Sequence, residues 1–196
     1  MKKLLFFSSN NYKIKEVKDI LQDSKVNILS LNNFSLLKFP NETGHTFNEN
    51  AAIKSKFGYK YFNFPCFADD SGICINALNN MPGVESKRFI KKNGGIKKTF
   101  QKIIMIVKKK KDFKAFFQTS IALTLNNAET FFFDGVVEGR IAEIPIGKYG
   151  FHYDPIFIPK TSHQTYAQME EKEKNKISHR AVALNKLKKF LNNSFN

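Results

Sequence analysis

Sulfur is scarce in this chain: 196 residues carry two cysteines, Cys66 and Cys74. Both lie in apolar, strand-like runs, and neither has a second Cys or a His at metal-ligand spacing. That excludes a disulfide framework and a zinc site, and points to reduced, buried thiols of a cytoplasmic protein. Long apolar runs are missing too. Nothing approaches the roughly 20 residues of a membrane span, so no membrane partner is expected. Met1-Lys2-Lys3 followed by Leu4-Leu5-Phe6-Phe7 looks like the opening of a signal peptide. The apolar stretch is too short, and polar Ser8-Ser9-Asn10-Asn11 follows without a small-residue cleavage site. A buried first strand is the better expectation.

Arginine is also rare, at positions 88, 140 and 180 only, although the formal net charge is +15 and the pI near 9.7. Such charge invites a nucleic-acid reading. Bidentate recognition of bases and phosphates uses arginine, however, and here the charge is lysine spread among Asn, Ile and Phe. AT-rich coding gives that mixture without selection for function. The one dense block, Lys108 to Lys111, reads as a solvated loop. No specific nucleic-acid partner is expected, while the charge should attract polyphosphate anions.

The remaining pattern is α/β. Residues 3–8 read as a strand. Residues 12–22 read as a helix with Ile14, Val17, Ile20 and Leu21 on one face, and 26–31 as a second strand, making a βαβ opening. Thr46 and Glu49 form a capping box for a helix reaching about Phe62. A further helix spans about 96–107. Alternation then gives two long antiparallel strands, over 113–125 and 131–141, joined at an Asn126-Asn127 turn. A helix from about Ser178 carries Ala181, Leu184, Leu187 and Leu191 on one face.

Four residues, Asp69-Asp70-Ser71-Gly72, follow the apolar run 66–68 and precede another, 73–75. Adjacent carboxylates at a strand end repel each other and are costly to desolvate. A divalent cation such as Mg²⁺ would relieve both problems. The four are also turn residues, and a plain turn is the alternative. Ser8-Ser9-Asn10-Asn11-Tyr12-Lys13 lies between strand and helix, where N–H groups and the helix dipole favour phosphate. Without glycines it is no P-loop, and taken alone these residues read better as an ordinary cap with a solvent-facing Lys13. His179 and Arg180 put two potential cations in the first turn of the last helix, so they either meet an electronegative partner or sit exposed. Asn50 and Lys54 share a helix face, with Lys54 either snorkelling or leaning over a phosphate. Glu42 is a loop acid or a metal ligand. Phe151-His152-Tyr153-Asp154 offers rings and a carboxylate to a nucleobase, or simple loop packing before Pro155.

Taken in order, six segments resemble the inosine triphosphate pyrophosphatase (Ham1-like, noncanonical purine nucleoside triphosphate pyrophosphatase) family. They are Ser8-x-Asn10-x-x-Lys13; Glu42-Thr43-Gly44-x-Thr46-Phe47-x-Glu49-Asn50-Ala51-x-x-Lys54; Ala68-Asp69-Asp70-Ser71-Gly72; Pro82-Gly83-x-x-Ser86-x-Arg88-Phe89; Gly150-Phe151-x-Tyr153-Asp154-Pro155-Ile156-Phe157; and Lys174-x-x-Ile177-Ser178-His179-Arg180. The resemblance implies one domain over 1–196. Its fold would be α/β, an elongated mixed β-sheet flanked by helices, in two lobes with a central substrate cleft, usually a homodimer. It implies Mg²⁺-dependent hydrolysis of ITP, dITP and XTP to the monophosphate and pyrophosphate. Ser8, Asn10 and Lys13, with Ser9, Asn11 and Tyr12 of the same loop, and Lys54 from the helix after Thr46, would hold the triphosphate. Glu42 and Asp70 would bind Mg²⁺, Asp70 would accept the proton of the attacking water, and Asp69 would support it. Ser71, Phe151, His152, Tyr153, Asp154, Lys174, His179 and Arg180 align with nucleotide contacts. Of these, Lys174, His179 and Arg180 are the donors expected to choose a 6-oxo purine over adenine. Three departures stand out: His152 where the family usually has Gly, Lys87 for Ala, and Gln168 for Glu. A related dTTP or UTP pyrophosphatase and a basic nucleic-acid-binding protein are the alternatives.

Overall fold

The computed structural model describes residues 2–34, 39–126 and 129–194. Its first elements are β1 (Lys2–Phe6), α1 (Asn11–Leu21) and β2 (Val26–Ser30). β1 and β2 run parallel with Leu4 opposite Ile28, as the βαβ reading requires. Ile14, Val17 and Leu21 bury the inner face of α1, while Ile20 is half-buried. α2 (Phe47–Phe62) starts at the expected capping box: Thr46 Oγ1 accepts from the Glu49 N–H at 3.2 Å and Glu49 accepts from the Thr46 N–H at 3.3 Å. Losing such a cap costs about 1 kcal/mol.

β3 (Cys66–Ile75) carries Asp69-Asp70-Ser71-Gly72 in its middle, so these residues form neither a turn nor a strand end. Cβ-free Gly72 lets the chain behind it approach. A methyl there would meet the Gly83 carbonyl and Ser86 Oγ, and that hydroxyl accepts from the Ile73 N–H at 3.0 Å.

After β4 (Met81–Pro82) come α3 (Ser86–Lys92) and α4 (Ile96–Lys110). α4 runs past the predicted end, so Lys108, Lys109 and Lys110 are its last turn and not a loop. Cations there face the negative end of the helix dipole. Lys110 Nζ also donates to the Ala77 carbonyl at 2.8 Å, and Lys108 pairs with Glu143 at 3.3 Å. β5 (Lys114–Thr124), β6 (Thr130–Ile141), β7 (Phe157–Pro159), α5 (Glu171–Ile177) and α6 (His179–Ser194) complete the chain. Asn126 Oδ1 accepts from the Glu129 N–H between β5 and β6; Asn127 lies outside the described residues.

The sheet is mixed, with strand order β2-β1-β3-β5-β6-β7 and β4 paired to β3. β1 is parallel to β2 and β3, while β4 and β7 are antiparallel to their neighbours. The chain separates into two compact units. The first comprises residues 1–70, 119–135 and 180–196, and its core includes Leu4, Phe6, Val17, Phe67, Leu123 and Leu187. The second comprises residues 71–118 and 136–179; Ile73, Phe100, Ile103, Phe117, Tyr153 and Tyr166 lie in its core.

Candidate active site

Successive side chains on a strand point to opposite faces, and this separates the two carboxylates of β3. Asp69 meets Lys13 Nζ at 2.8 Å and Arg180 Nη2 at 3.1 Å. Asp70 meets Lys54 Nζ at 3.0 Å and Asn50 Nδ2 at 3.4 Å. Their mutual repulsion is therefore relieved by the pleat and by separate cations. Both are buried, at 3 % and 7 % exposure. Burial would raise the Asp69 pKa, but Lys13, Arg180 and Lys54 outweigh it and hold the carboxyl far below the usual range. For Asp70 burial wins over Lys54 and Lys13, and the pKa is raised. One strand thus presents a fixed anion on one side and a more basic carboxylate on the other.

Lys54 projects from α2 and also pairs with Glu42 at 2.8 Å. Burial opposes its charge, but Asp70, Asp69 and Glu42 prevail and its pKa rises. Two carboxylate oxygens, from Glu42 and Asp70, converge on this one cation. Asn50 links the same elements, accepting from the Gly44 N–H at 2.8 Å.

At the start of α1, Asn10 Oδ1 caps the helix by accepting from the Tyr12 and Lys13 N–H groups at 3.0 and 3.3 Å. Ser8 Oγ accepts from the Asn10 N–H at 3.2 Å, and Asn11 Oδ1 from Asn32 at 3.3 Å. Ser9, Asn11 and Tyr12 are exposed. Lys13 turns back to Asp69 instead of facing solvent. Burial, with Arg180 and Lys54 near, outweighs Asp69 and lowers its pKa.

His179 and Arg180 do occupy the first turn of α6, and neither is exposed. Arg180 Nε and Nη2 both reach Asp69, and Nη1 reaches Glu16. Burial disfavours its charge, but Glu16 and Asp69 reverse that and raise its pKa. The electronegative partners of Arg180 are carboxylates of this chain, while the resemblance implies a base contact. Glu16 went unnoticed in the sequence. The signal was its position three residues after Lys13 on α1, an acid on the inward face beside Val17.

The second unit holds the other candidates. Asp154 Oδ2 accepts from the Phe151 N–H and from Lys174 Nζ, each at 2.8 Å. Lys174 is 4 % exposed and stands 4.9 Å from the Phe151 ring centre and 5.7 Å from that of Tyr166. Tyr153 is buried and its hydroxyl donates to the Ser86 carbonyl at 2.8 Å. His179 stacks on Phe117, with centres 4.5 Å apart and planes 8° apart. Phe151 and His152 are half-buried, as is Ser71 on β3. Lys174, Phe151 and Asp154 therefore form one group, His179 is stacked beside Phe117 and Tyr166, and Arg180 is committed to Asp69 and Glu16. Gly150 has φ +72°, and a Cβ there would run into the Asp154 carboxylate. Among the described residues, no group of three or more His, Cys, Asp or Glu gathers to hold a metal ion. Both cysteines are buried free thiols.

In class this is a mixed α/β protein, a mixed sheet flanked by helices. The chain belongs to the Ham1 family, whose family model matches residues 4–190. It is 41 % identical over 193 residues to a protein of Bacillus subtilis named dITP/XTP pyrophosphatase, covering 97 % of this chain and 98 % of that one. A protein of the same name from Coxiella burnetii is 38 % identical, covering 100 % and 99 %. Among solved structures, a HAM1 protein from Coxiella burnetii superposes with a TM-score of 0.88 at 38 % identity, covering 97 % and 98 %. The Ham1 protein of Staphylococcus aureus gives 0.87 at 35 %, covering 98 % and 100 %.

Proposed function

We propose that this chain hydrolyses noncanonical purine nucleoside triphosphates, ITP, dITP and XTP, to the monophosphate and pyrophosphate. The names of its relatives support the substrate class. The observation that carries the chemistry is Asp70: a buried carboxylate of raised pKa, held in place by Lys54 and Asn50. A carboxylate made more basic by its surroundings suits proton abstraction from water. Asp70 takes a proton from a water attacking phosphorus at the α–β bridge, the bridging P–O bond breaks, and pyrophosphate leaves. Lys13 and Lys54 offset phosphate charge, and Asp69, with its own charge fixed, orients Lys13.

Mg²⁺ fits the donor set. Hard oxygen ligands suit it, and it commonly takes one or two carboxylates with substrate phosphates completing its shell. Asp70 and Glu42, whose oxygens already share one cation, would hold it, and when bound it would supply further charge neutralisation on the phosphates. In the second unit, Lys174 is the donor for a 6-oxo purine, which presents an acceptor where adenine presents an amino group. Leaving such a donor unpaired discriminates by roughly 10²–10⁵. The enzyme is read as a cytoplasmic homodimer. The test is pyrophosphate release from ITP with Mg²⁺ and with a chelator. Release that depends on Mg²⁺ is expected; orthophosphate as first product would overturn the reaction class.

A further inference from the structure

The outer face of the sheet in the second unit sets like charges side by side. On β5 the inward residues Ala115 and Phe117 are buried, while Lys114 is exposed and Phe116 half-buried. On the neighbouring strand β6, Ile141 is buried, and Arg140 and Glu138 are exposed. The Ile141 N–H donates to the Phe113 carbonyl at 2.8 Å, so Lys114 and Arg140 come next and stand beside each other. On the other flank Arg140 lies opposite Ile158 of β7, and the Lys160 N–H donates to the Glu138 carbonyl at 2.9 Å. Like charges directly opposite each other destabilise a sheet. Glu138 does not offset this pair, because its side chain meets Lys160 at 3.4 Å. Among the described residues, no carboxylate forms an ion pair with Lys114, Arg140 or His163.

These strands form the floor of a hollow of about 570 Å³, within the size range of small-molecule sites. Its wall is the turn after β7. There the Ser162 N–H donates to the Pro159 carbonyl at 3.0 Å, and Ser162 Oγ accepts from the Gln164 N–H at 3.0 Å. The turn brings Ser162 and His163 into the lining. Ile158 is 7 % exposed although it shares the outer face with Arg140. The hollow thus combines an apolar floor, a cationic side at Lys114 and Arg140, and an acceptor at Glu138.

We infer that this hollow is a second ligand site, for a nucleoside monophosphate, and that it shares no residue with the site described above. The Arg140 fork and the Lys114 ammonium take the phosphate oxygens in charge-assisted hydrogen bonds. An anion between the two cations turns their repulsion into attraction. Glu138 accepts from the sugar hydroxyls, and the half-buried Phe116 ring offers a face to the base. Inorganic phosphate would gain only the first of these contacts. The inference does not depend on the reaction proposed above.

Calorimetric titration with AMP at low ionic strength, where such contacts are least screened, tests this on four proteins: the parent, Arg140→Gln, Lys114→Gln and Lys13→Ala. Arg140→Gln and Lys114→Gln alter exposed side chains and remove an opposed pair of like charges, so both should melt no lower than the parent. Both are expected to bind AMP about tenfold more weakly or worse, with pyrophosphate release from ITP unchanged. Lys13→Ala should bind AMP as the parent does. AMP should also raise the melting temperature of the parent and not that of Arg140→Gln. Inorganic phosphate should bind the parent more weakly than AMP. No binding of AMP to the parent, an affinity unchanged in Arg140→Gln or Lys114→Gln, or a loss confined to Lys13→Ala would overturn the site. Phosphate binding as tightly as AMP would overturn its assignment to a nucleotide.

Discussion

Replacing Arg180 with alanine tests how the carboxylate layer of β3 is held. The side chain is 2 % exposed and joins Asp69 to Glu16, which are 3 % and 4 % exposed. Removing one partner of a buried ion pair costs about 3–5 kcal/mol, because charge is left behind in a poor solvent. Lys13 still faces Asp69 at 2.8 Å, so the lower part of that range is expected. For a chain of this size, 1 kcal/mol corresponds to about 2–4 °C, so the melting temperature should fall by roughly 6–12 °C. Urea unfolding followed by circular dichroism at pH 7 gives the free energy directly. Adding Glu16→Gln to Arg180→Ala should recover part of the loss, since one buried charge is then removed. The pH dependence has a definite sign. Asp69 has a depressed folded pKa, so its contribution is full above the unfolded value near 3.9 and fades as pH falls toward the folded one. The variant should therefore show a shallower loss of stability on acidification than the parent. In assays, kcat/KM for ITP and ATP should drop by the same factor, because the arginine supports Lys13 and Asp69 and carries no base information. A cost below about 1 kcal/mol, or a selective loss of ITP activity, would refute this reasoning.

Asp70→Asn should reduce turnover by about 10²-fold or more while leaving stability at pH 7 unchanged or slightly higher, since a raised folded pKa means that ionisation disfavours the folded state; steady-state kinetics and urea unfolding check both halves. Lys13→Ala should weaken ITP, XTP and ATP alike, because phosphate carries no base identity, and kcat/KM for the three substrates reads this out. The Cys74 thiol is pushed up to about 11 by burial, and burial raises that of Cys66 further. Both thiols should therefore resist a thiol reagent at pH 8 in the folded protein and react on unfolding, as a thiol titration with and without guanidinium would show.

Local rules with a short range were legible in advance. The Thr46–Glu49 box, the parallel β1–β2 pair and the face of α1 follow from periodicity and capping chemistry within a few residues. The end of α4 was misplaced because four lysines read as a loop, while the helix dipole favours cations in a last turn and Glu143 and the Ala77 carbonyl partner Lys108 and Lys110. The charged residues around β3 could be named from the sequence, but their pairings could not. Asp69 and Asp70 are adjacent in sequence, yet the pleat sends them to different cations. Arg180 and Glu16 are 164 residues apart, a separation that no local pattern bridges. Short elements such as β4, α3, β7 and α5 went unread because two to seven residues carry too little periodicity.

The central claim is selective pyrophosphohydrolysis of deaminated purine nucleotides, and a panel of triphosphates tests it most directly. Purified protein with Mg²⁺ is assayed for pyrophosphate release from ITP, dITP, XTP, ATP, GTP, CTP, UTP and dTTP. The account predicts that kcat/KM for ITP, dITP and XTP exceeds that for ATP, CTP and UTP by roughly 10² or more. Equal rates on ITP and ATP, or a preference for dTTP or UTP, would contradict it.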